Sequence, residues 1–189
     1  MFRSRRRRTL GFGLIEVLAA TSIIAGLHSQ GNYRYVVNQA NEVKGIHNLK
    51  QIHMMLRMQT ITTGKLPNAV FFPKGDPKKD PKSITRLLKG VPQQMFISPS
   101  APRALKKKGL TFAWNDAVNG KSLDRLPRNT WLLIDIAAFI ADPKLPKPKS
   151  YLILYADGRA KAVNKLPPDI VKAIKAAQAK GKGTAKKTQ

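Results

Sequence analysis

The chain has no cysteine and few acidic residues among its 189 positions. Without cysteine it can form neither a disulfide framework nor a thiolate metal site, and cysteine usage gives no indication of the redox compartment. Ten Asp and Glu residues stand against 35 Lys and Arg residues, for a formal net charge of +25. Such a balance favours anionic partners such as nucleic acid, anionic lipid or acidic polysaccharide.

Histidine is also scarce, and the sequence offers little support for catalysis. His47 and His53 are six residues apart, which places them about 120° apart around a helix, so no zinc site is predicted. Gly181-Lys182-Gly183-Thr184 lacks the spacing of a phosphate-binding loop and the strand before it. No Ser/His/Asp order provides a nucleophile elbow. We therefore do not expect an enzyme.

The amino-terminal segment carries the strongest functional signal. Five arginines precede a sixteen-residue apolar run, from Phe12 to Leu27, that contains Glu16. An acidic residue inside a membrane helix costs roughly 2.5 to 3.5 kcal/mol on insertion scales, so it needs a function and a partner. Cleavage after Gly11 would create an amino terminus at Phe12, and that amine on a neighbouring copy could neutralise Glu16. The segment therefore predicts an assembly device.

Other interpretations of this segment remain open. A basic stretch before an apolar run also fits a secretory signal peptide removed near Leu27, or a twin-arginine signal given Arg5 to Arg8. A plain signal anchor that tolerates an acid is a third alternative. Glu16 argues against both removable signals, and only processing after Gly11 uses Gly11, Phe12 and Glu16 together.

The sequence Gly11-Phe12-Gly13-Leu14-Ile15-Glu16-Val17-Leu18 resembles the processing motif of type IV pilins and type II secretion pseudopilins. The resemblance implies that a prepilin peptidase cleaves after Gly11, that Phe12 becomes the N-methylated first residue, and that Glu16 guides subunits into a filament. Gly13 replaces a more common threonine, and Tyr33 stands where many members have a helix-bending proline. Neither difference touches the cleavage site.

Topology follows from the arginines. Five of them lie on the amino side of the run, whereas only Arg34 and Lys44 lie in the twenty residues after Leu27. The positive-inside rule then predicts a single-pass protein with a cytoplasmic amino terminus and an extracytoplasmic, periplasmic carboxyl-terminal domain. The resemblance places it in a bacterial inner membrane. The run spans about 24 Å, less than the roughly 30 Å hydrocarbon core, and Tyr33 and Tyr35 could anchor it at the interface.

We expect an α+β fold with a pilin-like architecture: a long N-terminal helix, membrane-spanning in its first half, packed on a small antiparallel β-sheet. The predicted segments are a basic leader at 1–11, a transmembrane and assembly helix at 12–30, its continuation at 31–62, an exterior α+β domain at 63–166, and a basic helix with a disordered tail at 167–189. The tail is expected to become disordered from Lys180 onward, after a helix from Pro167 to Ala179.

The helix continuation is predicted from spacings of three or four between apolar residues, which are Val36, Ala40, Val43, Ile46, Leu49, Ile52 and Leu56. Because most spacings are three, the stripe drifts, so the helix must wrap its domain or bend near Gly31 or Gly45. Gly64, Lys65, Leu66 and Pro67 end it.

Five segments are strand candidates: 69–72, 110–114, 130–136, 151–156 and 159–163. Asp157-Gly158 between the last two indicates a hairpin with a type I′ turn. Asp80 or Ser83 could cap a short helix through Leu88, and 73–81 and 141–149 are predicted loops. Trp114 and Trp131 are expected in the core.

Weaker matches to a subset of bacterial pseudopilin-like proteins follow in order along the chain: Asn48 to Ile52, Gly64 to Pro67, Phe96 to Ser100 and Tyr155 to Gly158. Ser98 stands where such relatives often have a cysteine, so their disulfide is absent. Major pseudopilins can bind calcium through carboxyl-terminal loops. The carboxylates here do not follow an alternating ligand pattern, so no cofactor is predicted and calcium stays only a lesser alternative; the carboxylates are Asp116, Asp124, Asp135, Asp142 and Asp157.

Basic runs are the candidate anion-binding residues, although each also fits a solvated surface. They are Lys78, Lys79 and Lys82; Lys106, Lys107 and Lys108; and Lys172, Lys175, Lys180, Lys182, Lys186 and Lys187. Removal of the leader's five arginines would still leave +20 on the mature chain. No base-reading motif accompanies these lysines.

Two functions are thus expected. The first is a pseudopilin or minor pilin in a type II secretion or type IV pilus-like filament, with the prepilin peptidase, other pilin subunits and the inner membrane as partners. The alternative is a basic surface protein, such as a competence-type pilin, that captures DNA or an acidic polymer.

Overall fold

A computed structural model describes residues 14–136 and 150–185 of the chain. Its helices are α1 (Leu14–Thr63), α2 (Ile84–Leu87), α3 (Arg103–Lys106) and α4 (Pro168–Ala185), and its strands are β1 (Phe112–Trp114), β2 (Trp131–Asp135), β3 (Tyr151–Tyr155) and β4 (Ala160–Val163). Single 3₁₀ turns lie at Gln93–Phe96, Asp116–Val118 and Leu123–Arg125. The chain divides into two compact units, Met1–Gln39 and Ala40–Gln189.

Helix α1 ends at the predicted place. The Gly64 N–H donates to Thr60 O over 2.8 Å, and Gly64 has a φ of 71°, in the left-handed region that favours glycine. Pro67 follows three residues later and prevents the helix from resuming. Among residues 14–136 and 150–185, no helix combines the length and the apolar character needed to cross a membrane.

Four antiparallel strands form one sheet in the order β1-β2-β3-β4. Phe112 pairs with Asp135 across β1 and β2, and Tyr151 pairs with Val163 across β3 and β4. The register between β2 and β3 shifts between Trp131 and Leu133. The predicted α+β class, with a long helix packed on a small antiparallel sheet, is thereby confirmed.

Helices cover both faces of the sheet. Alternating strand residues point to opposite sides, so Trp114, Leu133 and Leu152 join Leu49 and Ile52 of α1 in one core cluster. The second cluster holds their sequence neighbours with two residues of α4, namely Ala113, Trp131, Ile134, Ile153, Ile170 and Ile174. Both tryptophans are core residues as predicted, with Trp114 fully buried and Trp131 4% exposed.

The buried stripe of α1 is shorter than predicted. Leu49, Ile52 and Leu56 are fully buried, whereas Val36 and Val43 are 60% and 66% exposed. Gly45 has a packing role in this helix. It is buried against β3, where a Cβ would overlap Leu152 Cδ1, so this glycine allows the helix backbone to approach the strand closely.

The prediction of a strand at 69–72 is wrong. The Asn119 side chain donates to Ala69 O (2.8 Å) and accepts from Ala69 N (3.2 Å), while Val70 N donates to Lys82 O. Phe71 O accepts from Trp114 N of β1 over 2.9 Å. Because these bonds go to a side chain and a loop, no ladder forms.

The type I′ turn is also wrong. No described residue other than glycine has a positive φ, and Gly158 has a φ of 84°. Gly158 N donates to Tyr155 O, and Tyr155 N donates to Arg159 O, so the hairpin has a three-residue loop with glycine in the left-handed region. Helix α4 likewise differs from expectation, because it continues to Ala185 where disorder was predicted from Lys180.

Candidate functional site

The predicted processing residues Gly11 and Phe12 lie outside the described residues. Glu16 lies in α1, two residues after the first described residue, Leu14. In the same unit Tyr33 and Tyr35 are 71% and 61% exposed, and the Tyr35 hydroxyl accepts a hydrogen bond from Gln39 Nε2 over 2.7 Å. Their interfacial role stays a prediction.

An exposed apolar stripe runs along α1 in the second unit. Val43, Met54, Met58 and Ile61 are 66%, 63%, 56% and 78% exposed. With 3.6 residues per turn they lie within about 60° of one another, on the side opposite the buried Leu49, Ile52 and Leu56. His47 and Lys50 also lie on this side. The helix therefore has two apolar faces, of which the sheet covers one.

The three lysines of the predicted run Lys106 to Lys108 do not line one common pocket. The Lys106 ammonium donates to Pro99 O over 2.6 Å and lines a pocket with Lys44. Lys107 and Lys108 are exposed and line a different pocket of about 310 Å³ with Phe72 to Lys78. Asp76 lies in this second pocket and reduces its net positive charge.

The predicted basic residues of α4 lie beside an apolar contact. Ile170 and Ile174 are buried on the sheet, and Lys172 and Lys175 are exposed. Lys180 and Lys182 lie in the described helix, whereas Lys186 and Lys187 lie outside the described residues. Among the described side chains, Lys172 and Lys175 do not line either of the two pockets that Lys106 to Lys108 line.

Comparison with protein-family models, curated proteins and solved structures gave no match.

Polar contacts hold the β3–β4 hairpin against α1. We call the residues that make them, His53, Ala156, Asp157 and Arg159, the polar clasp. The His53 Nε2–H donates to Ala156 O over 2.9 Å, and the ring stands 3.0 Å from the position that a Cβ on Gly158 would take. Asp157 accepts hydrogen bonds from the Arg159 backbone N–H and from its guanidinium. Arg159 also lies 5.7 Å from the centre of the Tyr155 ring.

Two pKa values are shifted at this hairpin. Burial acts to raise the pKa of Asp157, but the hydrogen bonds from Arg159 and the positive charges of Arg159 and Arg128 together lower it. Burial, followed by the negative charge of Asp169, raises the pKa of Tyr155. Both shifts favour the ordinary charge states at neutral pH, an ionised Asp157 and a neutral Tyr155. Neither of these two pKa values is therefore shifted toward neutral pH.

Metal ligands do not cluster in the described residues. Across 14–136 and 150–185, no three His, Cys, Asp or Glu side chains lie close enough together to hold an ion. Asp142, one of the scattered carboxylates, lies outside these ranges.

Sequence reasoning missed one basic cluster. Lys65, Lys121 and Arg125 line an open pocket of about 500 Å³ at the end of α1. They are separated by up to sixty residues in the chain, so no charge run reveals them. The dipeptide Gly-Lys occurs at Gly64-Lys65 and Gly120-Lys121, but it also occurs at Gly181-Lys182, so the sequence alone does not single out this cluster.

Proposed function

We propose that the chain is a membrane-anchored structural subunit, a pseudopilin or minor pilin, of a type II secretion or type IV pilus-like filament. A prepilin peptidase would cleave after Gly11, and Phe12 would become the N-methylated first residue. The mature chain would keep its amino terminus in the inner membrane and its carboxyl-terminal domain on the periplasmic side. Its role is mechanical, since it adds one exterior domain to the filament for each subunit inserted.

The observation that carries this proposal is Glu16 inside an apolar run that directly follows an arginine-rich leader and Gly11. A lone carboxylate in hydrocarbon is costly, and the amine of Phe12 on an adjoining subunit would remove that cost by forming an ion pair. This pairing requires both cleavage and assembly. A simple anchor would require neither.

Two structural features support the proposal. The helix is continuous from Leu14 to Thr63, so Glu16 and the residues that pack on the sheet belong to one secondary-structure element. The exposed stripe of Val43, Met54, Met58 and Ile61 also provides apolar area for contact with a neighbouring helix. Such contacts would supplement the Glu16 pair along the filament axis.

The test compares the wild type with Glu16→Gln in the native cell. Mass spectrometry of the amino terminus should show methylated Phe12 in both proteins, because the substitution leaves Gly11 and Phe12 unchanged. Isolated filaments should contain the wild type and about tenfold less of the variant, which lacks a charge-assisted hydrogen bond. An intact Met1, a terminus near His28, or equal incorporation of the variant would refute the proposal.

A second candidate function is capture of DNA or an acidic polymer at the cell surface. The observation that favours it is the net charge of +25, which attracts any polyanion through counterion release. Both tryptophans are buried, so neither is available to stack on bases. We therefore rank this function second.

A further inference from the structure

Two Gly-Lys dipeptides meet at the end of α1. Leu66 N donates to Lys121 O over 2.8 Å, and Gly120 N donates to Leu66 O over 3.2 Å. These two bonds fix the backbone of Lys65-Leu66 beside that of Gly120-Lys121. Gly64 and Gly120 have φ values of 71° and 69°, a conformation that other residues adopt only with strain. The two hydrogen bonds and the two glycine conformations therefore hold Lys65 and Lys121 on adjacent backbone segments.

The pocket at this junction is cationic and contains no acid. Its side-chain lining comprises Lys65, Lys121, Arg125, Ser122 and Leu126, around an open volume of about 500 Å³. Lys65, Lys121 and Arg125 are exposed, and none of the three side chains makes a hydrogen bond or ion pair within the described part of the chain. Lys106 differs, because Pro99 O accepts from its ammonium.

Compensation of the α1 dipole does not account for three cations. The carboxyl-terminal end of a helix is equivalent to about half a negative charge, so it can offset only part of one lysine. About two and a half positive charges remain around one opening, and they repel one another. A bound anion would relieve that repulsion.

We propose that this pocket binds an oligophosphate group, with Lys65, Lys121 and Arg125 contacting its oxygens and the Ser122 hydroxyl donating to one of them. Three separate cations suit a ligand with several anionic groups better than a single phosphate. The pocket has no aromatic lining, so recognition is of the phosphate chain, whether free or carried by a nucleotide. The site is independent of filament assembly and uses none of the residues in the processing segment.

The test is calorimetric titration of the purified full-length chain with sodium tripolyphosphate at fixed ionic strength. Lys65→Gln/Lys121→Gln/Arg125→Gln should weaken binding by about tenfold or more, because three exposed ion contacts are lost. The matched control is Arg86→Gln/Lys89→Gln/Lys165→Gln, which removes two lysines and an arginine that are exposed and do not line the pocket. It should bind within about twofold of the wild type.

Two further measurements distinguish loss of charge from misfolding, and a free phosphate chain from a nucleotide. Lys65→Arg/Lys121→Arg keeps the charges and should retain binding, which distinguishes a charge contact from misfolding. ATP binding as tightly as tripolyphosphate would confirm recognition of the phosphate chain alone, and tighter ATP binding would identify a nucleotide as the source. Equal losses in the pocket variant and the control variant, or no saturable binding by the wild type, would overturn the proposal.

Discussion

Gly158 sets the distance between the hairpin and α1. Its φ of 84° closes the loop, and its missing side chain leaves room for the His53 ring, which donates to Ala156 O. The sequence predicts the hairpin but not its turn. Asp157 accepts from Arg159 N over 3.1 Å, so the aspartate side chain completes the loop without the positive φ that a type I′ turn would demand.

Three glycine-to-alanine variants can separate strain from steric overlap. Gly158→Ala should lower the free energy of unfolding by about 1 to 3 kcal/mol, because it combines a left-handed φ with overlap against His53. Gly64→Ala has the left-handed φ in open space and should lose about 1 to 2 kcal/mol. Gly75→Ala has neither problem, so it should stay within about 0.5 kcal/mol. Urea unfolding measures all three, and an unchanged Gly158→Ala would contradict the clasp.

At the scale of the element, α1 shows what periodicity can and cannot reveal. Spacings of three and four correctly predict a helix and include the fully buried Leu49, Ile52 and Leu56. They also include the exposed Val43, because spacing marks apolar positions but does not say which of two faces meets the sheet. The strand prediction at 69–72 failed for a related reason. The Asn119 side chain, fifty residues away in the chain, forms hydrogen bonds with the Ala69 backbone.

The two faces of α1 should respond differently to substitution. Met54→Ser/Met58→Ser/Ile61→Ser removes exposed side chains, so stability should change by at most about 1 kcal/mol. Incorporation into filaments should fall by about tenfold, because the lost apolar contacts lie between subunits under the proposed function. Leu56→Ala is the contrast, with an expected loss of about 2 to 5 kcal/mol in a fully buried position.

Thermal unfolding and quantitative blotting of isolated filaments provide the two measurements for these variants. If the triple serine variant unfolded at a much lower temperature, the stripe would be part of the folded core. If it were incorporated as well as the wild type, the stripe would not be an assembly surface. Either result would contradict the assignment of the two faces.

For the molecule as a whole, the α+β class followed from a long apolar periodicity and a Tyr151 to Val163 hairpin. The packing of α4 did not, because its buried Ile170 and Ile174 lie among lysines that suggest a solvated helix. The Lys65, Lys121 and Arg125 pocket was equally hidden, since it depends on tertiary contact between separate segments. Sequence thus predicts the layers that depend on local pattern and misses those that depend on long-range contact.

Net charge governs the whole-molecule prediction. A chain of +25 is destabilised by its own repulsion. Raising NaCl from about 0.1 M to about 1 M shortens the screening length from about 10 Å to about 3 Å. The melting temperature of the purified chain in non-ionic detergent should therefore rise by about 2 to 6 °C.

The variant Lys79→Gln/Lys82→Gln/Arg86→Gln has three fewer positive charges and should gain less from the same salt. Differential scanning calorimetry gives both melting temperatures. A decrease with NaCl, or an equal gain in the variant, would show that repulsion among these charges does not limit stability.

The edge strands of the sheet, β1 and β4, affect how subunits of a polymer could separate. Trp114 N of β1 already donates to Phe71 O, and β4 carries the exposed Lys161, a residue type that discourages strand addition. These two features hinder a neighbouring copy from adding a strand to β1 or β4, the two edges of the sheet. Under the proposed function, a polymer of this chain would be held by the Glu16 ion pair and by side-chain contacts, with no strand shared between subunits, so a subunit could leave it without breaking its own sheet.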